Sequence, residues 1–119
     1  MKILIVDDST FMRGILKDIV AKSNWNGSQV FEAADGDQAL ALYNTEKPDM
    51  VLLDIIMPNK DGMEVLKNIG HSSTAVVMIS SMEQEHIIQE AKTLGAKDYI
   101  VKPFDVRQVI KVLNEFKPA

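Results

Sequence analysis

Val51-Leu52-Leu53-Asp54-Ile55-Ile56-Met57-Pro58 is the stretch on which the fold turns. From Met50 to Leu53 every side chain is apolar, and a single carboxylate, Asp54, ends the run. A short, unbroken apolar run suits a strand buried on both faces, as in the middle of a parallel sheet. Pro58 and the turn-prone Asn59-Lys60-Asp61-Gly62 forbid simple continuation. In an open parallel α/β sheet, ligand chemistry sits beyond the carboxyl ends of the strands. Asp54 is expected there.

Similar runs flank this one. Ile3 to Val6 is a branched apolar segment ending in Asp7-Asp8. Ser9 or Thr10 can cap the helix that follows, where Phe11, Met12, Ile15, Leu16, Ile19 and Val20 recur at helical spacing. Asn24 to Gly27 reads as a turn; Trp25 within it carries no assignment. Val30, Phe31, Ala33 and Ala34 suggest a second strand, broken by Asp35-Gly36. Ala39, Leu40, Leu42 and Tyr43 mark a short helix, and Pro48 ends that connection.

Beyond Gly62, residues Met63, Val65, Leu66 and Ile69 form a helix that Gly70 can stop. Ala75 to Ile79 is a fourth strand, ending at Ser80-Ser81. Ser81 and Gln84 have capping-box spacing for a helix through Leu94, closed by Gly95. Tyr99 to Val101 is a fifth strand, followed by Lys102-Pro103-Phe104. Asp105 with Gln108 repeats the capping-box spacing before the last stripe, Val106, Val109, Ile110, Val112, Leu113 and Phe116. The methionines at helical spacing read as core filling, and His71 and His86 as surface residues.

The order is βα five times over, which implies a parallel sheet covered on both faces by right-handed crossovers. At 119 residues a single domain, 1–119, is expected, large enough to bury its own core. The chain has no cysteine, which excludes disulfides, thiolate metal sites and cysteine nucleophiles. Its net charge of −4 disfavours a dedicated nucleic-acid binder. Asp, Lys, Pro or Gly interrupts each apolar run before it reaches membrane-spanning length. The first apolar run is too short for a signal peptide. A cytoplasmic location with no membrane contact is the expectation.

Four strand ends should converge on one rim, carrying Asp7-Asp8, Asp54, Ser80-Ser81 and Lys102. Three anions in close quarters repel and need a cation. Oxygen ligands without Cys or nearby His point to a hard ion such as Mg²⁺. Lys102 adds positive charge and Ser80 a donor. This set suits a phosphoryl group, and a carboxylate can itself accept one as an aspartyl-phosphate. Asp54, alone at the end of the most apolar strand, is the best acceptor. Plainer readings exist for each residue. Asp7-Asp8 can complement a helix dipole, Asp54 can cap a turn, Lys102-Pro103 can merely stop a strand, and Tyr99 can be packing.

At these residues the chain resembles the response-regulator receiver domains, over nearly its whole length. The pieces are Ile5-Val6-Asp7-Asp8-Ser9, Leu52-Leu53-Asp54-Ile55-Ile56-Met57-Pro58 with Gly62, Met78-Ile79-Ser80-Ser81, and Gly95-Ala96 with Tyr99-Ile100-Val101-Lys102-Pro103-Phe104. The resemblance implies a flavodoxin-like (βα)5 sandwich with strand order 2-1-3-4-5, the order that chemotaxis receivers share with flavodoxin. It implies that Asp54 takes phosphate from a histidine kinase. Asp7, Asp8, Asp54 and the backbone carbonyl of Ile56 then hold Mg²⁺, while Ser80 and Lys102 bind the phosphoryl oxygens. A cis Lys102-Pro103 bond is implied too. Tyr99 is implied to swing inward when Ser80 moves, reshaping the face of the fourth helix, fifth strand and fifth helix. Such a chain catalyses only its own phosphorylation and dephosphorylation, and is expected to act as a monomer.

Fast-hydrolysing members often carry a polar residue two beyond the acceptor, where this chain has Ile56; Met82 is likewise apolar two beyond Ser80. Both would flank the path of an attacking water, so a long-lived phosphoryl group is expected. A half-life in Mg²⁺ no longer than that of Ile56→Asn would refute this.

Because the sequence ends at Ala119, output is expected through a downstream protein, such as a chemotaxis motor switch, and Asp7-Asp8-Ser9-Thr10-Phe11-Met12-Arg13 has the chemotaxis look. Transfer onward to a histidine phosphotransfer protein is the alternative. A phosphatase with an aspartyl nucleophile wants Asp-x-Asp after the first strand, whereas these acids are adjacent. A flavodoxin-like cofactor binder wants a Ser/Thr/Gly-rich loop there, which is missing.

Overall fold

Strand parity decides which helix covers which face. The computed structural model describes residues 1–118. β1 (Lys2–Val6), β3 (Met50–Leu53) and β4 (Ala75–Ser80) form the centre of one five-stranded parallel sheet, flanked by β2 (Gln29–Ala33) and β5 (Asp98–Val101). The order is β2-β1-β3-β4-β5. Alternate residues of a strand face opposite sides. Ile3, Ile5, Met50, Leu52, Val77, Ile79 and Ile100 pack on one side against α1 (Thr10–Ala21) and α5 (Val106–Glu115). Leu4, Val6, Val51, Leu53, Val76, Met78 and Tyr99 pack on the other, against α2 (Gly36–Glu46), α3 (Gly62–Ile69) and α4 (Glu85–Thr93). The result is the expected three-layer, flavodoxin-like sandwich. No helix among the described residues is long and apolar enough to cross a membrane.

Side-chain caps set several boundaries. Asp35 accepts from the Gln38 amide at 2.8 Å and starts α2, which also ends β2 at Ala33 rather than Ala34. Asp61 accepts from the Glu64 amide at 2.9 Å and starts α3. Gly70 does stop α3, but with right-handed backbone (φ −62°). Its need is for space: a Cβ there would run into the Leu94 carbonyl. Gly95, at φ +109°, supplies the left-handed turn after α4.

One of the two capping-box expectations fails, and the other holds for its cap residue alone. α4 begins at Glu85 with Gln84 as its cap and no capping side chain, so Ser81 does not start it. The reason lies in the loop: the Ser80 hydroxyl takes the Met82 amide at 3.3 Å, and the Met82 carbonyl takes the Tyr99 hydroxyl. Those bonds keep residues 81–84 out of the helix. Asp105 does cap α5, but through the Arg107 amide at 2.8 Å without help from Gln108.

Trp25 is an anchor. It is fully buried, and its indole nitrogen donates to the Leu113 carbonyl at 2.7 Å, tying the α1–β2 turn to the end of α5.

Candidate functional site

Strand register places the rim residues in steps. Val6, Leu53, Met78 and Tyr99 lie in one row across the sheet. Asp7 and Asp54 stand one step past that row, Ser80 two and Lys102 three. The long Lys102 side chain reaches back over this gap. Its ammonium bridges Asp7 Oδ2 at 2.7 Å and Asp54 Oδ2 at 3.0 Å. Carboxylate oxygens of Asp7, Asp8 and Asp54 lie within 4.8 Å of one another. Asp7 and Asp54 are buried and Asp8 is exposed, so the cluster opens to solvent on one side.

Each buried acid divides its oxygens between two tasks. Asp7 Oδ1 accepts from the Ser9 amide at 2.9 Å, and Asp54 Oδ1 from the Ile55 amide at 2.7 Å. These backbone bonds fix the two side chains. The Oδ2 atoms then face Lys102 and the cluster. The capping reading of Asp54 is thus satisfied by one oxygen while the other stays available for chemistry.

Ser80 is fully buried, its hydroxyl accepting from the Met82 amide. The Ile56 amide lies 3.4 Å from Asp54 Oδ1, so the Ile56 backbone runs beside the acid while its side chain is exposed. The Lys102-Pro103 bond is cis. Tyr99 is already turned in, at 8% exposure, with its hydroxyl on the Met82 carbonyl at 2.6 Å. His71 and His86 are exposed and lie outside the cluster.

Gly62 holds Asp54 from below. Its amide donates to the Ile55 carbonyl at 2.8 Å, and a Cβ would run into the Asp54 carbonyl. Only a residue without a side chain lets α3 start this close to the end of β3.

The donor set is oxygen only, with charge concentrated on three carboxylates. That chemistry fits a hard divalent cation, which prefers carboxylates, carbonyls and water.

Burial works against the Lys102 ammonium, but Asp7 and Asp54 outweigh it and raise its pKa above the ordinary 10.5. Burial also raises the Tyr99 phenol above 10.0; the nearby Ser80 hydroxyl opposes this and the Asp54 charge adds to it. Both groups hold their protons more tightly in the folded chain. Their stabilisation is complete below the ordinary values of 10.0 and 10.5 and is lost as pH climbs through the raised ones. The thermal midpoint should therefore fall steeply above about pH 10, and Tyr99→Phe should flatten that fall. Equal alkaline slopes in the two proteins would contradict the assignment to Tyr99.

The comparisons with known proteins agree with this geometry. The family model described as "Response regulator receiver domain" matches residues 3–114. Over 117 residues the chain is 43% identical to chemotaxis protein CheY of Bacillus subtilis (strain 168), covering 96% of this chain and 95% of that one. It is 38% identical over 119 residues to sporulation initiation phosphotransferase F of the same bacterium, covering 98% and 94%. A solved structure, the CheX-CheY-BeF3-Mg+2 complex from Borrelia burgdorferi, matches with a TM-score of 0.89 at 35% identity, over 99% of this chain and 90% of that one. The chain belongs to the response-regulator receiver family, the phosphorylation-activated switches of two-component systems.

Proposed function

We propose that Asp54 accepts the phosphate, that Asp7, Asp8, Asp54 and the Ile56 carbonyl hold Mg²⁺, and that Ser80 and Lys102 receive the phosphoryl oxygens. The observation that carries this is the division of labour at Asp54: one oxygen is tied to backbone, and the other meets, among the described residues, only the Lys102 ammonium. A carboxylate oxygen of Asp54 attacks the phosphorus of a phosphohistidine on a histidine kinase. The P–O bond forms as the P–N bond breaks, and the imidazole keeps the electron pair and takes up a proton. Mg²⁺, when bound, neutralises charge on the phosphoryl oxygens. Lys102, between Asp7 and Asp54, can turn toward a phosphoryl oxygen without leaving the site. The Ser80 hydroxyl accepts from Met82, which leaves its own proton to donate.

Met82 then links chemistry to surface. Its amide meets Ser80 and its carbonyl meets Tyr99, so a shift of Ser80 is passed to the phenol and on to the face of α4, β5 and α5. Phosphorylation thus biases a two-state element.

Of the four exposed large hydrophobic side chains among the described residues, three stand at the rim: Phe11 opening α1, Ile56 after β3 and Val106 opening α5. That ring suits a partner that presents its histidine on an apolar surface. Similarity to chemotaxis protein CheY supports output through a downstream chemotaxis protein. Similarity to sporulation initiation phosphotransferase F supports the second reading, a phosphorelay step toward a histidine phosphotransfer protein. Affinity for a motor-switch protein against a phosphotransfer domain separates the two.

Acetyl phosphate with Mg²⁺ should add the mass of one phosphoryl group to the native chain and none to Asp54→Asn. Native labelling of Asp54→Asn would sink the assignment. Repeated turnover of a phosphate ester would favour a phosphatase instead.

A further inference from the structure

The turn that carries Asp7 and Asp8 is gripped by a side chain outside the cluster. The β1–β2 ladder ends at the Asp7 amide, which donates to the Ala33 carbonyl at 3.1 Å. The Asp7 carbonyl goes instead to Arg13 of α1, whose Nη1 donates to it at 2.6 Å. The same guanidinium gives Nε to Glu32 Oε1 at 3.0 Å and Nη2 to Thr10 Oγ1 at 3.2 Å. Arg13 is held firmly, its side chain only 13% exposed.

Glu32 is the other jaw. It sits on β2, and its second oxygen takes the Lys17 ammonium at 3.2 Å. Burial works against its charge, yet Arg13 and Lys17 hold its pKa below the ordinary carboxylate value. The clamp therefore stays ionised through neutral and mildly acidic pH. It ties a sheet-edge strand, the first helix and the backbone of a rim acid into one unit.

We infer that Arg13 is a positioning residue: by locking the Asp7 carbonyl to Glu32 it sets the direction in which Asp7 and Asp8 face a bound cation. This rests on the proposed Mg²⁺ role of those acids. The requirement is for arginine. A planar fork can reach the carbonyl, the carboxylate and the hydroxyl together, whereas an ammonium is one point charge. Charge and geometry also pull in opposite directions. Deleting a positive charge near three acids favours a cation, while loosening the turn disfavours it. Arg13→Lys keeps the charge and so isolates the geometry.

The test is Mg²⁺ titration by calorimetry on the full chain, on Arg13→Lys, on Glu32→Gln and on the double variant, with labelling by acetyl phosphate alongside. Partners that orient metal ligands are typically worth about tenfold or more in affinity, and a loss of about tenfold is expected for Arg13→Lys. Glu32→Gln should lose roughly threefold, and it carries the test should Arg13→Lys fail to fold. On this inference Glu32 reaches the cation through Arg13 and not through Lys17, so the double variant should bind no more weakly than Arg13→Lys alone. Labelling should fall at limiting Mg²⁺ and recover as Mg²⁺ is raised, a defect in metal affinity rather than in the transfer step. Native affinity in Arg13→Lys, or additive losses in the double variant, overturns the inference while leaving Asp54 as acceptor. A native chain that neither binds Mg²⁺ nor labels overturns the functional reading and the inference with it.

Discussion

Lys102→Met should cost the folded chain about 2 to 3 kcal/mol in divalent-free buffer and slow labelling by acetyl phosphate about a hundredfold. The ammonium is the counter-charge for two buried carboxylates, at 2.7 and 3.0 Å. Removing one partner of a buried pair usually costs about 3 to 5 kcal/mol, because the charge left behind has lost its water. The expected figure is lower because the cluster is open on the Asp8 side and water can return. Methionine keeps the stem and its packing, so the loss measures charge. Added Mg²⁺ should restore part of the stability by taking over neutralisation, but not the labelling rate, since the donor aimed at the phosphoryl oxygen is gone. Urea unfolding with and without MgCl₂, beside labelling rates, checks both halves. Stability loss that Mg²⁺ leaves untouched, or native labelling, would contradict this account of Lys102.

Trp25→Ala should cost about 3 to 5 kcal/mol while leaving the chemistry intact. The side chain is fully buried in the α1–α5 core, among Ile19, Val20, Val112 and Leu113. Truncation opens a large cavity and orphans the Leu113 carbonyl. Against a total stability of about 5 to 15 kcal/mol, that is a large share. Trp25→Phe separates the two terms: it keeps most of the apolar volume and loses the 2.7 Å bond, so about 1 to 3 kcal/mol is expected. Labelling of Trp25→Phe, measured where it is still folded, should match the native rate. A loss below about 1 kcal/mol for Trp25→Ala would mean that the core closes over the gap.

Trp25 also marks where sequence reading stops. The βα alternation was legible because the central strands are unbroken apolar runs, punctuated by Pro48, Pro58, Gly62 and Gly95. The rim acids and Lys102 were legible because each directly follows such a run, and parallel pairing brings run ends together. Trp25 gave no signal of that kind. It lies in a turn, where periodicity says nothing, and its partner Leu113 is far along the chain. Arg13 was legible only as the end of the Asp7-to-Arg13 stretch, without a role of its own, because only the β1–β2 pairing brings Glu32 to it. Ser81 failed for a different reason. Its capping-box spacing was real, but the Ser80, Met82 and Tyr99 bonds took that backbone first. Tertiary hydrogen bonds override a local preference worth about 1 kcal/mol.

The last helix has a practical consequence. It starts beside Lys102 and runs back along the sheet, and Asn24 and Trp25 meet Asn114 and Leu113 near its end. The first strand enters the sheet at that same pole. Both ends of the described chain therefore emerge behind the molecule, away from the acidic mouth. A fluorescent reporter or a sensor-chip tether joined through either end would leave the reactive rim pointing outward, free to meet a kinase in solution.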